Sequence, residues 1–553
     1  MNKWILSSIP LVILVLFFST YGGLTATPKF WHDEAVPFEI ARNLTEYGTP
    51  DLAVAPGIFW QKGFMTHATG FPLTLPLAGV FKIFGVGVAQ SRLLMIVWML
   101  AMLATLFFVI RAFFDQKTAF FSVLLIATFS SFYANGRTGT GEIPGFLFLL
   151  MALYFLYQRN WYGWGGLFAA LAAVTKPSMY LFVLPVMVLE ILIKNCHRPV
   201  PNQVFSNANH TNSESPQYYD TQNLVWDRSA ARKAKMLGLF LIGTVPVLLT
   251  WLWLINPAPF SLASWQEMIA FYQNAFNAPS LISQFPTVIP HLLTHSTIIY
   301  FLLLFIPIFI AWHKNLFTPA QNRFILFLFL YGAVSFFYFL RSPGWFRYLL
   351  GTELLILTLL PTALQKEELW RNILSIFTGL RARAGTVRAR PSEAPQLRGE
   401  ASGGRESEGE PSSQLAGLAR KVKMLSMFLL VGITIIQSAQ YLLGAEIPSG
   451  TKSIEIAEFL NKEILAKDST ATIGIVDNSP IAALIPAYRK YQRTLVGNNA
   501  PVGAHPLSLP PEQFPTYLLA LKKNDTYQNL FEQYYKPFAA TPFRVIIYKK
   551  TSR

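Results

Sequence analysis

The stretch VAQSRLLMIVWMLAMLATLFFVIRAFF, from Val88 to Phe114, indicates the fold class of this chain. It is almost entirely apolar, and it is longer than the roughly 20 residues that an α-helix needs to cross the hydrocarbon core of a membrane. We therefore interpret Val88–Phe114 as a transmembrane helix.

Similar apolar runs recur from end to end of the chain, and they predict an all-α polytopic membrane protein with about eleven spans. Only 13% of the 553 residues are charged, against about 25% in soluble domains. The other predicted spans are Trp4–Tyr21, Thr118–Asn135, Ile143–Tyr157, Trp161–Val174, Ser178–Ile193, Met236–Ile255, Ser296–Trp312, Phe324–Leu340, Phe346–Leu364 and Met424–Leu443.

Lys and Arg residues in the loops predict the orientation. They are concentrated in alternate loops, above all in the segment between Lys366 and Lys423. This pattern predicts a cell-membrane protein with its N-terminus on the cytoplasmic side and its C-terminus outside. The first run also fits a signal peptide, but we favour an uncleaved helix. The net charge of +16 does not indicate nucleic acid, because the basic residues lie between apolar runs rather than on one compact domain.

Composition also divides the chain into domains. Residues 1–444 are the predicted transmembrane domain, with an outer loop at 22–87 and unstructured cytoplasmic loops at 195–235 and 365–423, which are too polar to bury a core. Residues 445–553 are expected to form a small extracytoplasmic α/β domain. Its predicted helices are Ser453–Leu465 and Pro511–Lys523, and its predicted strands are Thr472–Val476 and Phe543–Lys549.

The first outer loop contains the segment WHDEAVPFEIARNLTEYGTPDL, from Trp31 to Leu52. Asp33 and Glu34 follow the first span directly, and an amphipathic helix ending at Gly48 is expected to lie along the membrane interface. An acidic residue there can simply be a charge favoured by the helix N-terminus. A functional carboxylate at the lipid headgroup level is the alternative. The polar face of this helix has Glu39, Arg42 and Asn43.

Further charged residues are predicted near the same outer face. Lys62 and His67 lie at the mouth of a second interfacial or re-entrant segment, Gly63–Gly87, where ordinary headgroup contact would also explain them. Any one charge at a helix end can be explained by snorkelling, but two carboxylates among several cations suit a phosphate-bearing ligand and a base. The residues at helix ends are Arg92, Arg137, Glu142, Lys176, Arg341 and Arg347.

In order and spacing, these segments resemble the C-type membrane glycosyltransferases, and most of all the superfamily of protein O-mannosyltransferases and lipid A aminoarabinose transferases. The matching pieces are Asp33-Glu34, FPLTLPLAGVFKIFG with AQSRL, Arg137–Pro144, LAAVTKP at Leu171–Pro177, and Arg347-Tyr348.

The resemblance implies an inverting transfer of a sugar from a polyprenyl-phosphate donor, within the membrane, to an extracytoplasmic acceptor. It implies that Asp33 is the catalytic base, that Arg137 and Glu142 line the cavity, and that Lys176 and Arg347 lie near the lipid phosphate. The candidates for a second acid are Glu142 and Glu34. Together with the charges at the outer face, the residues predicted near the donor or its lipid phosphate are Lys62, His67, Arg137, Lys176, Arg341, Arg347 and Tyr348. Many relatives have an acidic-Lys-Pro-Pro motif where this chain reads THATGFP, from Thr66 to Pro72. The acidic residue and the lysine of the motif are missing, so no metal ligand is predicted. A divalent cation is left open as a cofactor.

Three other classes of function fit parts of the pattern. A transporter or flippase for lipid-linked sugars would also need charges in a cavity, but it more often has internal symmetry and charges near the midplane. An envelope assembly protein would act through its tail. A polymerase or ligase would place its main site in a later outer loop, and residues 256–295 contain no basic residue.

Overall fold

The computed structural model describes the chain in segments that cover most of its length. These are residues 3–55, 58–60, 69–193, 220–255, 261–273, 290, 296–341, 346–370, 411–443, 451–468, 470–476, 479–485, 491–494, 510–521, 532–540 and 545–551.

Sixteen of the described helices form the membrane part and the loops attached to it. They are α1 Lys3–Thr20, α2 His32–Tyr47, α3 Phe71–Phe84, α4 Val88–Phe113, α5 Gln116–Ala127, α6 Ser130–Gly136, α7 Glu142–Leu153, α8 Tyr162–Thr175, α9 Pro177–Tyr180, α10 Val183–Ile193, α11 Asp220–Ile255, α12 Leu262–Gln273, α13 Ser296–His313, α14 Pro319–Arg341, α15 Leu350–Leu364 and α16 Pro411–Leu442. A π-helical turn, Tyr154–Arg159, extends α7, and a 3-10 turn, Phe346–Leu349, precedes α15. A two-stranded ribbon of β1, Ala53–Ala55, and β2, Ile58–Phe59, follows α2.

Every predicted span coincides with helix, and the all-α membrane fold is confirmed. Six described helices are long and apolar enough to cross a membrane, or seven if α5 and α6, which meet at a bend of 67°, count as one span. The remaining predicted spans fall short of that length and apolar composition over the described residues, so the count of about eleven is not established.

Two helices begin earlier than predicted. α11 starts at Asp220 and α16 at Pro411, so the ends of the loops predicted to be unstructured at 195–235 and 365–423 are helical. The polar residues there include many good helix formers, and each extends an existing span, which avoids the cost of nucleating a new helix. The rest of loop 195–235, and residues 371–410 of the other, lie outside the described residues.

Small residues bring α8 and α11 into close contact. A Cβ atom on Gly166 would lie 2.0 Å from the carbonyl oxygen of Phe240, and one on Gly243 would lie 1.9 Å from that of Gly163. Any larger residue at either position would force these helices apart. Such close backbone approach is typical of helices that pack within a membrane.

The tail forms a five-stranded mixed sheet with helices, which confirms the predicted α/β domain class. Its described elements are α17 Lys452–Phe459, β3 Ile473–Val476, α18 Ser479–Leu484, β4 Tyr491–Thr494, β5 Tyr517–Leu521, β6 Tyr535–Ala540 and β7 Val545–Lys550. The strand order is β4-β3-β5-β7-β6. β3 is parallel to its neighbours β4 and β5, and β7 is antiparallel to its neighbours β5 and β6.

One predicted helix of the tail is wrong. Residues 511–523 have helical spacing, but the structure has only a 3-10 turn at Pro511–Gln513, followed by strand β5. β5 pairs with β3 on one side and β7 on the other, so its backbone hydrogen bonds and apolar side chains are satisfied by long-range pairing. Tertiary context of this kind overrides a local pattern.

The tail packs directly against α2. Arg42 is 1% exposed, and its Nη1 donates hydrogen bonds to the carbonyl oxygens of Ala483, at 2.8 Å, and Ile485, at 2.6 Å. Glu39 and Asn43 are also buried. Arg42 is therefore covered by the tail, whereas Glu39 and Asn43 bind the backbone of Ala53 and Asp51. The contact places α2 and the tail on the same side of the membrane.

We expect Arg42→Met to lower the free energy of unfolding by about 1–3 kcal/mol, because it leaves two buried carbonyl groups without their donor. Thermal unfolding in detergent micelles measures the loss, and hydrogen exchange at β3 and α18 should rise. Lys462→Met, on an exposed tail lysine, is the control and should change neither. Unchanged exchange in Arg42→Met would contradict this coupling.

Candidate active site

Four charged side chains meet at one end of the helix bundle. Asp33 comes from the first turn of α2, Glu142 from the start of α7, Lys176 from the junction of α8 and α9, and Arg347 from the 3-10 turn before α15. They form two ion pairs, Asp33 with Arg347 and Glu142 with Lys176. Each belongs to the set predicted from the sequence.

The Asp33–Arg347 pair is the more accessible of the two. The Arg347 guanidinium donates a hydrogen bond to Asp33 Oδ2, and the two side chains are 18% and 25% exposed, respectively. Arg347 also lies over the rings of Trp31, at 5.3 Å, and Tyr348, at 5.5 Å. Trp31 was not predicted as a site residue, and its position two residues before Asp33 is the only signal that the sequence offers.

The Glu142–Lys176 pair is buried. Lys176 Nζ lies 3.4 Å from Glu142 Oε1, with side-chain exposures of 6% and 1%. Glu142 Oε2 has no hydrogen-bond partner among the described residues. One oxygen of this buried carboxylate is therefore unsatisfied among the described residues.

Close packing of three loops fixes the Glu142–Lys176 pair. Gly141 has a φ of 90°, which favours glycine, and a Cβ atom there would lie 2.8 Å from the carbonyl oxygen of Thr175. Thr69 Oγ1 donates to the carbonyl oxygen of Thr140 at 3.0 Å, and the amide of Gly70 donates to that of Thr175 at 3.1 Å. The residues next to Glu142 and Lys176 are thus joined by backbone contacts.

The pKa of Asp33 lies below its ordinary value of 3.8. Burial acts to raise it, but the charge of Arg347, the charge of Lys176 and the hydrogen bond from Arg347 together outweigh burial. Asp33 is therefore ionised at neutral pH in the unliganded protein.

This shift predicts how stability depends on pH. A carboxyl whose pKa is lowered on folding contributes stability that is complete above the unfolded pKa and is lost as the pH falls through the folded one. The difference in melting temperature between wild type and Asp33→Asn should be largest above pH 3.8 and should shrink below it. Melting curves in a series of acidic buffers measure this, and a difference that grows on acidification would contradict it.

Glu34 points away from these pairs and has a structural partner. Arg92, on α4, donates Nε to Glu34 Oε1 at 2.9 Å and Nη2 to Oε2 at 2.8 Å, and both side chains are fully buried. Burial raises the pKa of Glu34, and the Arg92 fork offsets part of that rise. Arg92 Nη1 also donates to the carbonyl oxygen of Leu24. This geometry connects α2 to α4 and favours a structural role for Glu34.

We expect Arg92→Ala to lower the free energy of unfolding by about 3–5 kcal/mol, because it leaves a carboxylate buried without its partner. Arg111→Ala is the matched control, since it removes an exposed arginine from the other end of the same helix. Denaturant titration of both variants in detergent provides the comparison. Equal, small losses would mean that the buried pair contributes little.

Arg137 also lies outside the two ion pairs. It is 0% exposed, and its guanidinium donates to the carbonyl oxygens of Tyr21, at 3.0 Å, and Gly23, at 2.9 Å. Tyr21 and Gly23 directly follow the end of α1, and Arg137 directly follows α6. Arg137 therefore joins the first span to α6 rather than facing a ligand. This geometry favours a structural role over donor binding.

The remaining predicted residues are placed as follows. Tyr348 is 6% exposed and packs edge-on against Tyr338, with ring centroids 5.0 Å apart. Arg341 is the last residue of α14, but its side chain lies outside the description. Lys62 and His67 lie outside the described residues. In the described part of the chain, no three His, Cys, Asp or Glu side chains gather as metal ligands would.

Known proteins resemble this chain in sequence over one segment and in fold over almost its whole length. Residues 72–204 match the protein family described as dolichyl-phosphate-mannose-protein mannosyltransferase. The chain is similar to ArnT from Cupriavidus metallidurans bound to undecaprenyl phosphate, with 15% identity over 99% of this chain and 98% of that one and a TM-score of 0.53. No curated protein matches the chain.

Two further solved structures agree. The apo state of ArnT from Cupriavidus metallidurans gives a TM-score of 0.54, with 15% identity over 99% of this chain and 98% of that one. The apo oligosaccharyltransferase of Archaeoglobus fulgidus gives 0.51, with 12% identity over 94% of this chain and 70% of that one. The chain has the fold of the C-type membrane glycosyltransferases, and the resemblance predicted from the sequence is confirmed. The family match at residues 72–204 begins within α3 and includes α4 to α10.

Proposed function

We propose that this protein is an inverting glycosyltransferase, which moves a hexose or pentose from a polyprenyl-phosphate carrier to an acceptor at the extracytoplasmic face of the cell membrane. The observation that carries the proposal is the pairing of two carboxylates with two cations, Asp33 with Arg347 and Glu142 with Lys176, at one end of a membrane bundle. A lipid phosphate needs the cations, and glycosyl transfer needs a base.

An apolar groove in the membrane part supports a lipid donor. It has a volume of about 680 Å³ and lies between α13, α14 and α15, from Leu349 to Phe309. Leu349, at one end of the groove, is two residues after Arg347 in the sequence. Along α13 the groove runs from Ile298 to Phe309, a depth of about 16 Å at 1.5 Å per residue. A prenyl chain in this groove would bring its phosphate to Arg347.

The cations are suited to the phosphate. Arg347 presents a planar fork to phosphate oxygens, whereas Lys176 offers a compact charge. Both would neutralise the charge that develops on the leaving phosphate, which lowers the barrier of the step. The structure of ArnT, which shares the fold, was determined with undecaprenyl phosphate bound, and this agrees with a polyprenyl-phosphate donor.

The reaction is a single displacement. The acceptor hydroxyl or amine attacks the anomeric carbon while the bond from that carbon to the phosphate oxygen breaks. The electron pair leaves with the polyprenyl phosphate, and Asp33 accepts the proton of the acceptor. Glu142, through its second oxygen, can orient the acceptor or the sugar hydroxyls.

Donor binding would activate the base. In the unliganded protein Arg347 neutralises Asp33 and lowers its pKa, which makes Asp33 a weak base. When a phosphate binds Arg347, the guanidinium interacts with both the phosphate and Asp33, and the negative charge of the phosphate lies near Asp33. The pKa of Asp33 then rises towards a value suited to proton transfer.

The test is turnover by the purified protein in detergent, with a panel of labelled polyprenyl-phosphate sugars. Transport cannot produce a signal where there is no compartment, so formation of a glycosylated product with release of polyprenyl phosphate would support the enzyme. If no donor in the panel is consumed, while liposomes with the protein move a lipid-linked sugar between leaflets, the transporter alternative replaces this proposal.

A further inference from the structure

A second group of polar side chains lies at the opposite end of the bundle from Asp33. Glu190, on the last turns of α10, is 7% exposed, yet neither of its carboxylate oxygens has a hydrogen-bond partner among the described residues. The hydroxyl of Tyr157, in the π-helical turn after α7, is likewise buried without a partner in the described part of the chain. The proposed glycosyl transfer uses neither residue.

These groups line a partly open cavity of about 60 Å³, together with Arg323 on α14, whose positive charge acts on Glu190. A second cavity of about 380 Å³, lined by Trp312, His313 and Asn315 among others, shares Arg323 and Leu326 with the first. Arg323 and Leu326 therefore form a wall that is common to both cavities. The helix ends that form them are those remote from Asp33, so the site lies at the other membrane boundary.

Burying a carboxylate without donors is costly, and such unsatisfied groups in a native protein call for an explanation. A ligand with several N–H donors and a positive charge would satisfy Glu190 and Tyr157 together. A primary ammonium can donate hydrogen bonds to both groups, whereas a trimethylammonium group is larger and donates none.

The larger cavity favours an anion beside that cation. Arg323 offers a fork for phosphate oxygens, and Trp312 is of the residue type that is enriched at membrane interfaces. A short cation–phosphate spacing at a membrane boundary is the chemistry of a zwitterionic phospholipid headgroup. π-helical turns such as Tyr154–Arg159 occur frequently at functional sites.

We propose that these two cavities bind the headgroup of a phospholipid with a primary ammonium, such as phosphatidylethanolamine. The ammonium lies between Glu190 and the Tyr157 hydroxyl, the phosphate lies on Arg323, and the glycerol and acyl chains pass Trp312 to the bilayer. The site is separate from the proposed donor site and does not depend on it.

Native mass spectrometry of the full chain in detergent tests the proposal with a methylation series of one phospholipid. Phosphatidylethanolamine, its mono- and dimethyl derivatives, phosphatidylcholine and phosphatidylglycerol, all with the same acyl chains, are titrated separately. We expect one tightly retained phosphatidylethanolamine, with at least a tenfold preference over phosphatidylcholine that declines with each methyl group. Phosphatidylglycerol, which has the phosphate but no ammonium, should bind as weakly as phosphatidylcholine.

Glu190→Gln should abolish this preference, and Tyr157→Phe should reduce it. Glu368→Gln is the control, because it removes an exposed carboxyl beyond the end of α15, and it should leave the preference intact. Equal retention of all five lipids by wild type would mean that water fills the cavities, and it would overturn the proposal. An intact preference in Glu190→Gln would do the same. If that variant does not fold, the methylation series on wild type decides alone.

Discussion

Asp33→Asn is expected to lower sugar transfer by about a hundredfold or more at equal protein level. The change retains the shape of the side chain and its place beside Arg347, but it removes the proposed general base, and general-base catalysis contributes roughly 10²–10⁴-fold. Initial rates with a saturating lipid donor measure the effect on kcat. The KM for the donor should change much less, because Asp33 does not bind the phosphate.

Two variants make this prediction specific. Asp33→Glu retains a carboxylate at a displaced position and should recover part of the activity that Asp33→Asn loses. Asp468→Asn removes an exposed aspartate from the tail and should be as active as wild type. If Asp33→Asn retains full activity, the base must be sought elsewhere, first at Glu142, whose second oxygen has no partner in the described structure.

Arg347→Lys is expected to lower kcat/KM by about 10²–10³-fold, the range for loss of one group that stabilises charge in the transition state. Lysine retains the positive charge but loses the planar fork and the stacking on Trp31 and Tyr348. Both kcat and the donor KM should be affected, because in the proposed mechanism the same guanidinium binds the phosphate and stabilises it as it leaves.

The control for Arg347→Lys is Arg111→Lys, an equivalent change at an exposed arginine remote from the site. A second comparison uses lipid phosphate without sugar as an inhibitor. It should inhibit wild type more strongly than Arg347→Lys. Equal inhibition of the two would show that Arg347 does not bind the phosphate.

Much of this site could be predicted from the sequence, for a simple physical reason. Asp33, Glu142, Lys176 and Arg347 each lie next to the end of an apolar run, and alternating spans carry those ends to one side of the membrane. Length and hydropathy are strong signals because the bilayer imposes them. The meeting of the four side chains follows from helix ends that converge on one face.

Other features could not be predicted because they depend on contacts between distant parts of the chain. Arg42 was expected on a polar face, but carbonyl groups more than four hundred residues later in the chain bind it. Arg92 and Arg137 look like phosphate ligands in sequence, whereas one pairs with Glu34 and the other binds the end of α1. Nothing local distinguishes an arginine that binds a ligand from one that binds the backbone.

The most direct test of the account is the anomeric configuration of the product. NMR spectroscopy of the sugar before and after transfer, with wild-type protein, a polyprenyl-phosphate sugar and an excess of acceptor, measures it. A single displacement with Asp33 as base predicts that the donor is consumed and that the product has the opposite anomeric configuration. A product that retains the configuration, or a donor panel from which no sugar is transferred, would contradict the account.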